Sequence, residues 1–301
     1  MDRLTELATF LAVLDHGGFA PAARALRKSP PTVTRVISDL EQRIGVRLFD
    51  RTSRRCIATE QGSRFAQDAR AVLASYDEAI SIAAGEAGSP QGHIRMTAPY
   101  FFGRQHIAPS ILRFLELNPG ISVELDLADR VKDLHADGLD LAVRIGPIAD
   151  VTLLATRVGW LKRVIVGSPA YLAKHGIPKL PAELSAHSKI QHGYHVNAPW
   201  QLTSGRGRIV QVPVQARFTV NQADAALAAA RAGHGLVTAL SYQVHDDFKG
   251  GTLVRILEEF ELEPLPVWLT WPEGRDRLLR VRMAIQFLTE KLRHLDVIAA
   301  Q

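Results

Sequence analysis

The sequence predicts a chain in two parts. An N-terminal all-α head carries one β hairpin and a long helix behind it, and a larger α/β part folds as two lobes. Three observations predict this. Apolar residues in the first 84 positions recur at i, i+3, i+4, i+7, broken at Gly17-Gly18 and at one short strand-like stretch. Residues 85–92, GEAGSPQG, then read as a hinge of Gly, Ser and Pro. From His93 onward strand-like and helix-like segments alternate, which implies mostly parallel sheets with helices on both faces.

Composition narrows the class. The 301 residues are 47% apolar and 22% charged, ordinary for a water-soluble chain with more than one core. Cys56 is the single cysteine, which excludes an internal disulfide and a thiolate zinc cluster. Asp2, Glu6 and Asp15 interrupt the N-terminal apolar residues, so no signal peptide is read there, and no apolar run approaches a membrane span. A cytoplasmic protein without membrane contact is expected.

In the head, helix one is expected over about Leu4 to His16, with Leu4, Leu7, Ala8, Leu11 and Leu14 on one face. After Gly17-Gly18 a short helix from Pro21 to Arg27 turns Ala22, Ala23 and Leu26 inward. The stretch Ser29 to Gly45 is the third helix. Ser29 caps it, Pro30 and Pro31 suit its first turn, and Gly45 suits its end. Val33, Val36, Ile37, Leu40 and Ile44 form its apolar face, and Thr32, Thr34, Arg35 and Ser38 lie opposite. Two short helices, a tight turn and a helix with a hydrogen-bonding face make a helix-turn-helix, over about 19–38. Two short strands follow in VRLFDRTSRRCIAT, with Arg51, Arg54 and Arg55 on a basic wing suited to phosphates or the minor groove. Residues 1–64 hold 11 Lys or Arg against 7 Asp or Glu, so +4 of the chain's +5 sits in the head. Double-stranded DNA is the expected partner.

These residues carry a resemblance. Phe10, HGGF (His16 to Phe19), AARAL (Ala22 to Leu26), SPPTVTR, LEQRIGVRLFDR (Leu40 to Arg51), Thr59 and Gly62 closely resemble the winged helix-turn-helix of LysR-type transcriptional regulators. Pro30 stands where many members have a base-contacting Gln, as in the subgroup with Ser-Pro at the start of the recognition helix. Ala20 replaces the usual Ser or Thr cap of the second helix. Pro30, Thr32, Thr34 and Ser38 are expected to read bases, Arg35, Arg51, Arg54 and Arg55 to anchor phosphates, and Pro31 to lie in the same DNA-binding surface.

Behind the winged domain (1–59), a helix over 60–84 carries Phe65, Ala69, Val72, Leu73, Tyr76, Ile80 and Ala83 in a 3–4 alternation. It is expected to be a linker and dimerisation helix. The alternative is a stripe that packs on its own domain. Family resemblance implies a homotetramer built as a dimer of dimers.

Beyond the hinge, HIRMTA is a strand, a helix runs from about Phe102 to Leu117, ISVELDL is a strand, a helix holds Val131 and Leu134, and DLAVRI is a strand. Strands at about 153–158 and 161–167 lead out. Helix SPAYLAKHG, strands near Trp200, Ile209 and Phe218, helix QADAALAAARAG and strand GLVTAL form a second lobe. LPVWLTW returns, and a helix from Leu278 to His294 faces inward through Val281, Ala284, Ile285, Leu288 and Leu292. Two Rossmann-like lobes result: lobe I from 93–166 and 264–301, lobe II from 167–263. MTAP (Met96 to Pro99), LADR (Leu127 to Arg130), DLAVRIG (Asp140 to Gly146), SPAYL and AGHGLVTAL (Ala232 to Leu240) resemble the LysR effector domain, which is similar to type 2 periplasmic binding proteins.

In open α/β sheets ligands sit at the carboxyl ends of strands, between lobes. The expected effector site is therefore Thr97, Pro99, Tyr100, Phe101, Arg144, Gly146, Asn221 and Thr238. Free N–H groups of the helix after Phe101, the Thr97 hydroxyl, the Asn221 amide and the Arg144 guanidinium suit a small organic anion. Arg144 paired to an acid and Thr97 as a strand-end cap are the alternatives. His187, His192 and His195 lack a cysteine partner and read as exposed or pocket-lining, so no metal is expected. No H-E-x-x-H, G-x-S-x-G or G-x-x-x-x-G-K occurs, so neither an enzyme nor a cofactor beyond a small-molecule co-inducer is expected. A solute-binding protein with an incidental helical head is the competing class.

Overall fold

The computed structural model describes residues 2–52, 55–83, 90–193, 198–204, 208–213 and 215–298. Its head is α1 (Arg3–Asp15), α2 (Phe19–Ala25), α3 (Pro30–Ile44) and a hairpin, β1 (Phe49–Thr52) with β2 (Arg55–Ala58). α4 (Glu60–Ala83) follows. Helix α2 starts two residues before the expected Pro21. Pro21 sits third in the first turn, where its missing N–H has no helical partner to lose, and Gly18 supplies no side-chain cap. The α3 signals act as expected. Ser29 Oγ accepts from Thr32 N (3.3 Å), and Gly45 takes the left-handed conformation (φ 75°) that ends the helix.

Val33, Ile37 and Leu40 of α3 meet Phe10 and Val13 of α1 and Ala22 and Ala23 of α2 in one buried cluster. Phe10 packs at 5.3 Å against both Phe49 of the wing and Phe65 of α4. Glu41, whose role no sequence signal announced, accepts the backbone N–H groups of Leu48 (2.8 Å) and Phe49 (3.1 Å) and so hangs the wing from α3. Arg43 pairs with the nearly buried Glu6, and Arg70 ties α4 to Asp15 of α1. Gly62 is a close approach: a Cβ there would lie 2.0 Å from the Leu48 carbonyl oxygen. Gly62→Ala is therefore expected to cost the head about 1–3 kcal/mol by overpacking. Urea unfolding checks this, with the exposed neighbour Gln61→Ala as control; equal midpoints for the two variants would contradict it.

Lobe I contains β3 (Gly92–Ala98), α5 (Tyr100–Phe102), a π turn over Gly103–Ile107, α6 (Ala108–Leu117), β4 (Ile121–Leu127), β5 (Leu141–Ile145) and β6 (Leu153–Leu161). Lobe II contains β7 (Arg163–Gly167), α7 (Pro169–His175), β8 (Lys189–His192), β9 (Trp200–Thr203), β10 (Ile209–Val212), β11 (Ala216–Val220), α8 (Ala223–Arg231), β12 (Leu236–Leu240), α9 (His245–Gly250) and β13 (Val254–Ile256). β14 (Leu265–Pro272) and α10 (Leu279–Arg293) return to lobe I. The sheets are ordered β4-β3-β5-β14-β6 and β11-β8-β12-β7-β13, and β9 with β10 makes a separate hairpin. Val281, Ala284, Ile285, Leu288 and Leu292 of α10 are all buried.

Three expectations are corrected. The sheets are mixed, since β14 runs antiparallel to β5 and β6, and β7 antiparallel to β12 and β13. β3 and β4, linked by α5 and α6 in their own lobe, pair parallel, and β8 pairs parallel with β11 and β12. β7 and β14 enter from the other lobe without a helical crossover that would enforce parallel pairing. β7 also belongs to the second sheet, so residues 163–166 leave lobe I and the crossing falls at Lys162. Finally, turns replace the expected helix around Val131 and Leu134. Asp133 Oδ1 accepts the N–H groups of His135 (2.9 Å) and Ala136 (3.0 Å), an alternative to helical bonding that leaves Val131 79% exposed while Leu134 is buried.

Candidate functional site

On α3, the face opposite the core holds Pro31, Thr34, Arg35, Ser38 and Gln42, at i, i+3, i+4, i+7 and i+11, with Thr34 and Ser38 half-buried and the others exposed. Pro30 is exposed at the helix start. Thr32 is turned toward the cap, with its hydroxyl 2.7 Å from Ser29 Oγ. Among the described residues, Thr34 and Arg35 make no side-chain hydrogen bond or ion pair, so Arg35 carries its charge unopposed. Gln42 was not singled out from sequence, although its heptad position placed it on this face. Arg54 and the side chains of Arg51 and Arg55 lie outside the described residues.

The eight effector candidates do not form one pocket. Thr97, Pro99 and Arg144 line a cavity of about 390 Å³ within lobe I, together with Asp129, Asp133 and Asp150. Pro99, Phe101, Asn221 and Thr238 line a cleft of about 290 Å³ between the lobes, with Arg163, His192 and Tyr242. Pro99, Asp129 and Ile145 border both. Tyr100 and Gly146 line neither. Gly146 instead bonds across to β14, donating to the Pro266 carbonyl (2.8 Å) and accepting from Trp268 Nε1 (3.1 Å).

The local chemistry explains the split. Asp129 Oδ1 accepts the Tyr100 N–H (2.9 Å), so this chain's own carboxylate occupies the helix start that was expected to receive an anion. The buried Thr97 hydroxyl donates to the Asp126 carbonyl (2.9 Å). Arg144 Nη2 donates to the Lys132 carbonyl (2.6 Å). Burial lowers its pKa, opposed by the nearby Asp150 and Asp133 charges. Thus Thr97 and Arg144 are held by the protein itself.

Arg163, at the start of β7, is different. It keeps solvent access in the cleft, yet crowding by the walls lowers its guanidinium pKa through desolvation. Its guanidinium has no ion pair or hydrogen bond among the described residues. A basic residue opening an otherwise apolar strand, RVIVG, was the available sequence signal. In the same cleft, His192 Nε2 lies 2.8 Å from the Thr238 carbonyl. A carbonyl accepts, so Nε2 is the protonated nitrogen and Nδ1 remains for the cleft. His187 instead lies against the Tyr171 hydroxyl (3.3 Å), and His195 is outside the described residues.

Phe101 and Phe102 of lobe I pack edge-on against Tyr242 of lobe II at 5.8 and 5.2 Å. Burial raises the Tyr242 pKa, keeping the phenol neutral. His106 joins this cluster with Nε2 buried and without a hydrogen-bond partner among the described residues, and burial lowers its pKa from 6.5 against a smaller opposing pull from Asp246. Below pH 6.5 the unfolded chain therefore binds a proton that the folded chain resists. This stability is present above pH 6.5 and lost as pH falls through the folded value. The melting temperature is expected to drop between about pH 7 and 5, less steeply in His106→Leu. His187, also lowered chiefly by burial, leaves a residual slope. Identical slopes in the two proteins would exclude His106 as a source.

A groove-ready helix on a winged head, followed by a two-lobed, periplasmic-binding-protein-like domain, defines a DNA-binding regulator with an effector-binding half. Residues 4–63 match the model of the bacterial regulatory helix-turn-helix protein, lysR family, and residues 87–293 match the LysR substrate binding domain. The chain belongs to the LysR family and is a DNA-binding transcription regulator, not an enzyme. It is 31% identical to an HTH-type transcriptional repressor of Pseudomonas aeruginosa (strain UCBPP-PA14), over 96% of this chain and 92% of that one. It is 29% identical to the transcriptional activator AaeR of Escherichia coli (strain K12), over 96% and 94%. The full-length Vibrio cholerae virulence activator AphB superposes with a TM-score of 0.61 at 27% identity, covering 96% of this chain and 99% of that one. Regulators of this family are oligomeric. Among the described residues no helix is long and apolar enough to cross a membrane.

Proposed function

We propose that this chain is a cytoplasmic, sequence-specific regulator that reads its operator with α3 as a homodimer, assembled further into a tetramer. A small organic anion in the inter-lobe cleft gates it. The unopposed Thr34–Arg35 face of α3 carries the DNA reading. Thr34 and Ser38 meet base edges, Thr32 steadies the helix start through its cap, and Arg35 meets phosphate. The linker helix supports the dimer. Phe65, Ala66, Ala69 and Leu73 pack into its own head, while Val72, Tyr76 and Ile80 recur every four residues and stand about half exposed. Pairing through that stripe would set two recognition helices roughly 34 Å apart, one turn of DNA. In the cleft, Arg163 takes a carboxylate and His192, Asn221 and Thr238 orient it, beside the apolar Phe101.

Selection of genomic fragments by the purified protein at a stated salt concentration tests this reading. A near-palindromic site is expected, and Thr34→Ala should change base preference more than total affinity. Fragments bound without sequence preference would contradict specific readout, as would equal losses on every duplex for Thr34→Ala.

A further inference from the structure

Lobe II holds a second cavity, of about 880 Å³, at the other end of the sheet from the cleft. The strands themselves show the separation. β8 begins at Lys189, which lines this cavity, and ends at His192, which lines the cleft. Arg217 near the start of β11 lines the cavity, and Asn221 just beyond its end lines the cleft.

Leu180, Val210, Val212 and Phe260 give the cavity apolar walls, and no Asp or Glu is among the described residues that line it. Its charge is positive and unbalanced. Lys189 is only 4% exposed, yet among the described residues its Nζ has one hydrogen-bond partner, the Pro213 carbonyl at 2.6 Å, and no ion pair. An ammonium has three donors, and buried charges ordinarily stand opposite a counter-ion. Trp200, 5.9 Å from Nζ, supplies only the weak attraction of its ring. Burial lowers the Lys189 pKa, as expected of a cation lacking an anion. Arg217 adds a second cation on the same wall, without an ion pair among the described residues.

We propose that this cavity is a second ligand site, taking a carboxylate with an extended apolar body. The body lies against Leu180, Val210, Val212 and Phe260, and the carboxylate is received by Lys189 and Arg217. A cavity of this size accommodates a ligand of roughly drug dimensions, and the missing counter-ion specifies its charge. The site is independent of the effector cleft.

Calorimetric titration of the full-length protein with decanoate, below its micellar concentration, tests the proposal, with 1-decanol as the uncharged probe. Saturable binding of decanoate is expected, and binding of decanol weaker by about tenfold or more. Lys189→Met, which keeps an unbranched apolar side chain, should weaken decanoate by about tenfold or more. Ala186→Trp at the rim should obstruct both probes. Arg163→Gln, in the cleft, should leave decanoate affinity unchanged. If Lys189→Met fails to fold, Arg217→Gln at its exposed position carries the test, with a loss of about threefold or more expected. The proposal is overturned by absence of saturable binding, by equal affinity in the charge and rim variants, or by a loss confined to Arg163→Gln, which would place decanoate in the cleft.

Discussion

Replacing Arg35 by Ala is expected to weaken binding to every DNA duplex, operator or not, by about tenfold near 0.1 M salt, and to lower the salt slope by about one unit. The side chain is exposed on the face of α3 opposite Val36, Ile37 and Leu40, and no carboxylate among the described residues pairs with it. A cation so placed neutralises one phosphate and releases about one condensed counter-ion, which is why the effect scales with salt and not with sequence. Its removal leaves the core untouched, so the melting temperature should hold. Anisotropy titrations on operator and random duplexes between 50 and 300 mM salt, roughly the range where counter-ion release is resolved, check it. An unchanged slope, or a loss restricted to the operator, would falsify the phosphate role.

Arg163→Gln is expected to abolish the response to the effector while leaving effector-free DNA binding intact. Burying a ligand carboxylate without a cation is costly, and a charge-assisted pair of this kind contributes roughly 1.5–3 kcal/mol, or about ten- to a hundredfold in affinity. Gln keeps a hydrogen-bond donor of similar reach but not the charge, so the loss isolates the electrostatic part. The same measurement on Arg144→Gln should show a smaller change, because Arg144 already donates to the Lys132 carbonyl and faces Asp150 and Asp133. The check is DNA binding with and without an effector identified from the regulated genes. A full response in Arg163→Gln would return the anion to Arg144.

Much of the head was legible because its signals are local. Ser29, Pro30, Pro31 and Gly45 act through bonds and dihedrals within a few residues of themselves, so α3 lies where its caps place it. The apolar faces of α3 and α10 were equally readable, since a 3.6-residue period survives any arrangement of neighbours. The π turn at Gly103–Ile107 left no such trace, and Asp133 acted against a helical pattern that looked adequate on its own.

The effector half separates the two kinds of information most sharply. Residue types and strand ends were enough to bring Pro99, Phe101, Asn221 and Thr238 to the cleft, because a strand's carboxyl end is a property of chain direction. Which cation remains unpaired was not readable that way. Asp129 caps the Tyr100 amide, the Lys132 carbonyl holds Arg144, and Arg163 has no side-chain partner among the described residues in the cleft. Each outcome depends on a partner brought near by folding. The antiparallel entry of β7 and β14 follows the same rule, since the lobe a strand joins depends on the chain's path between sheets. Local order and chain direction are written in the residues themselves, whereas the balance of charge in a cavity exists only once distant segments have met.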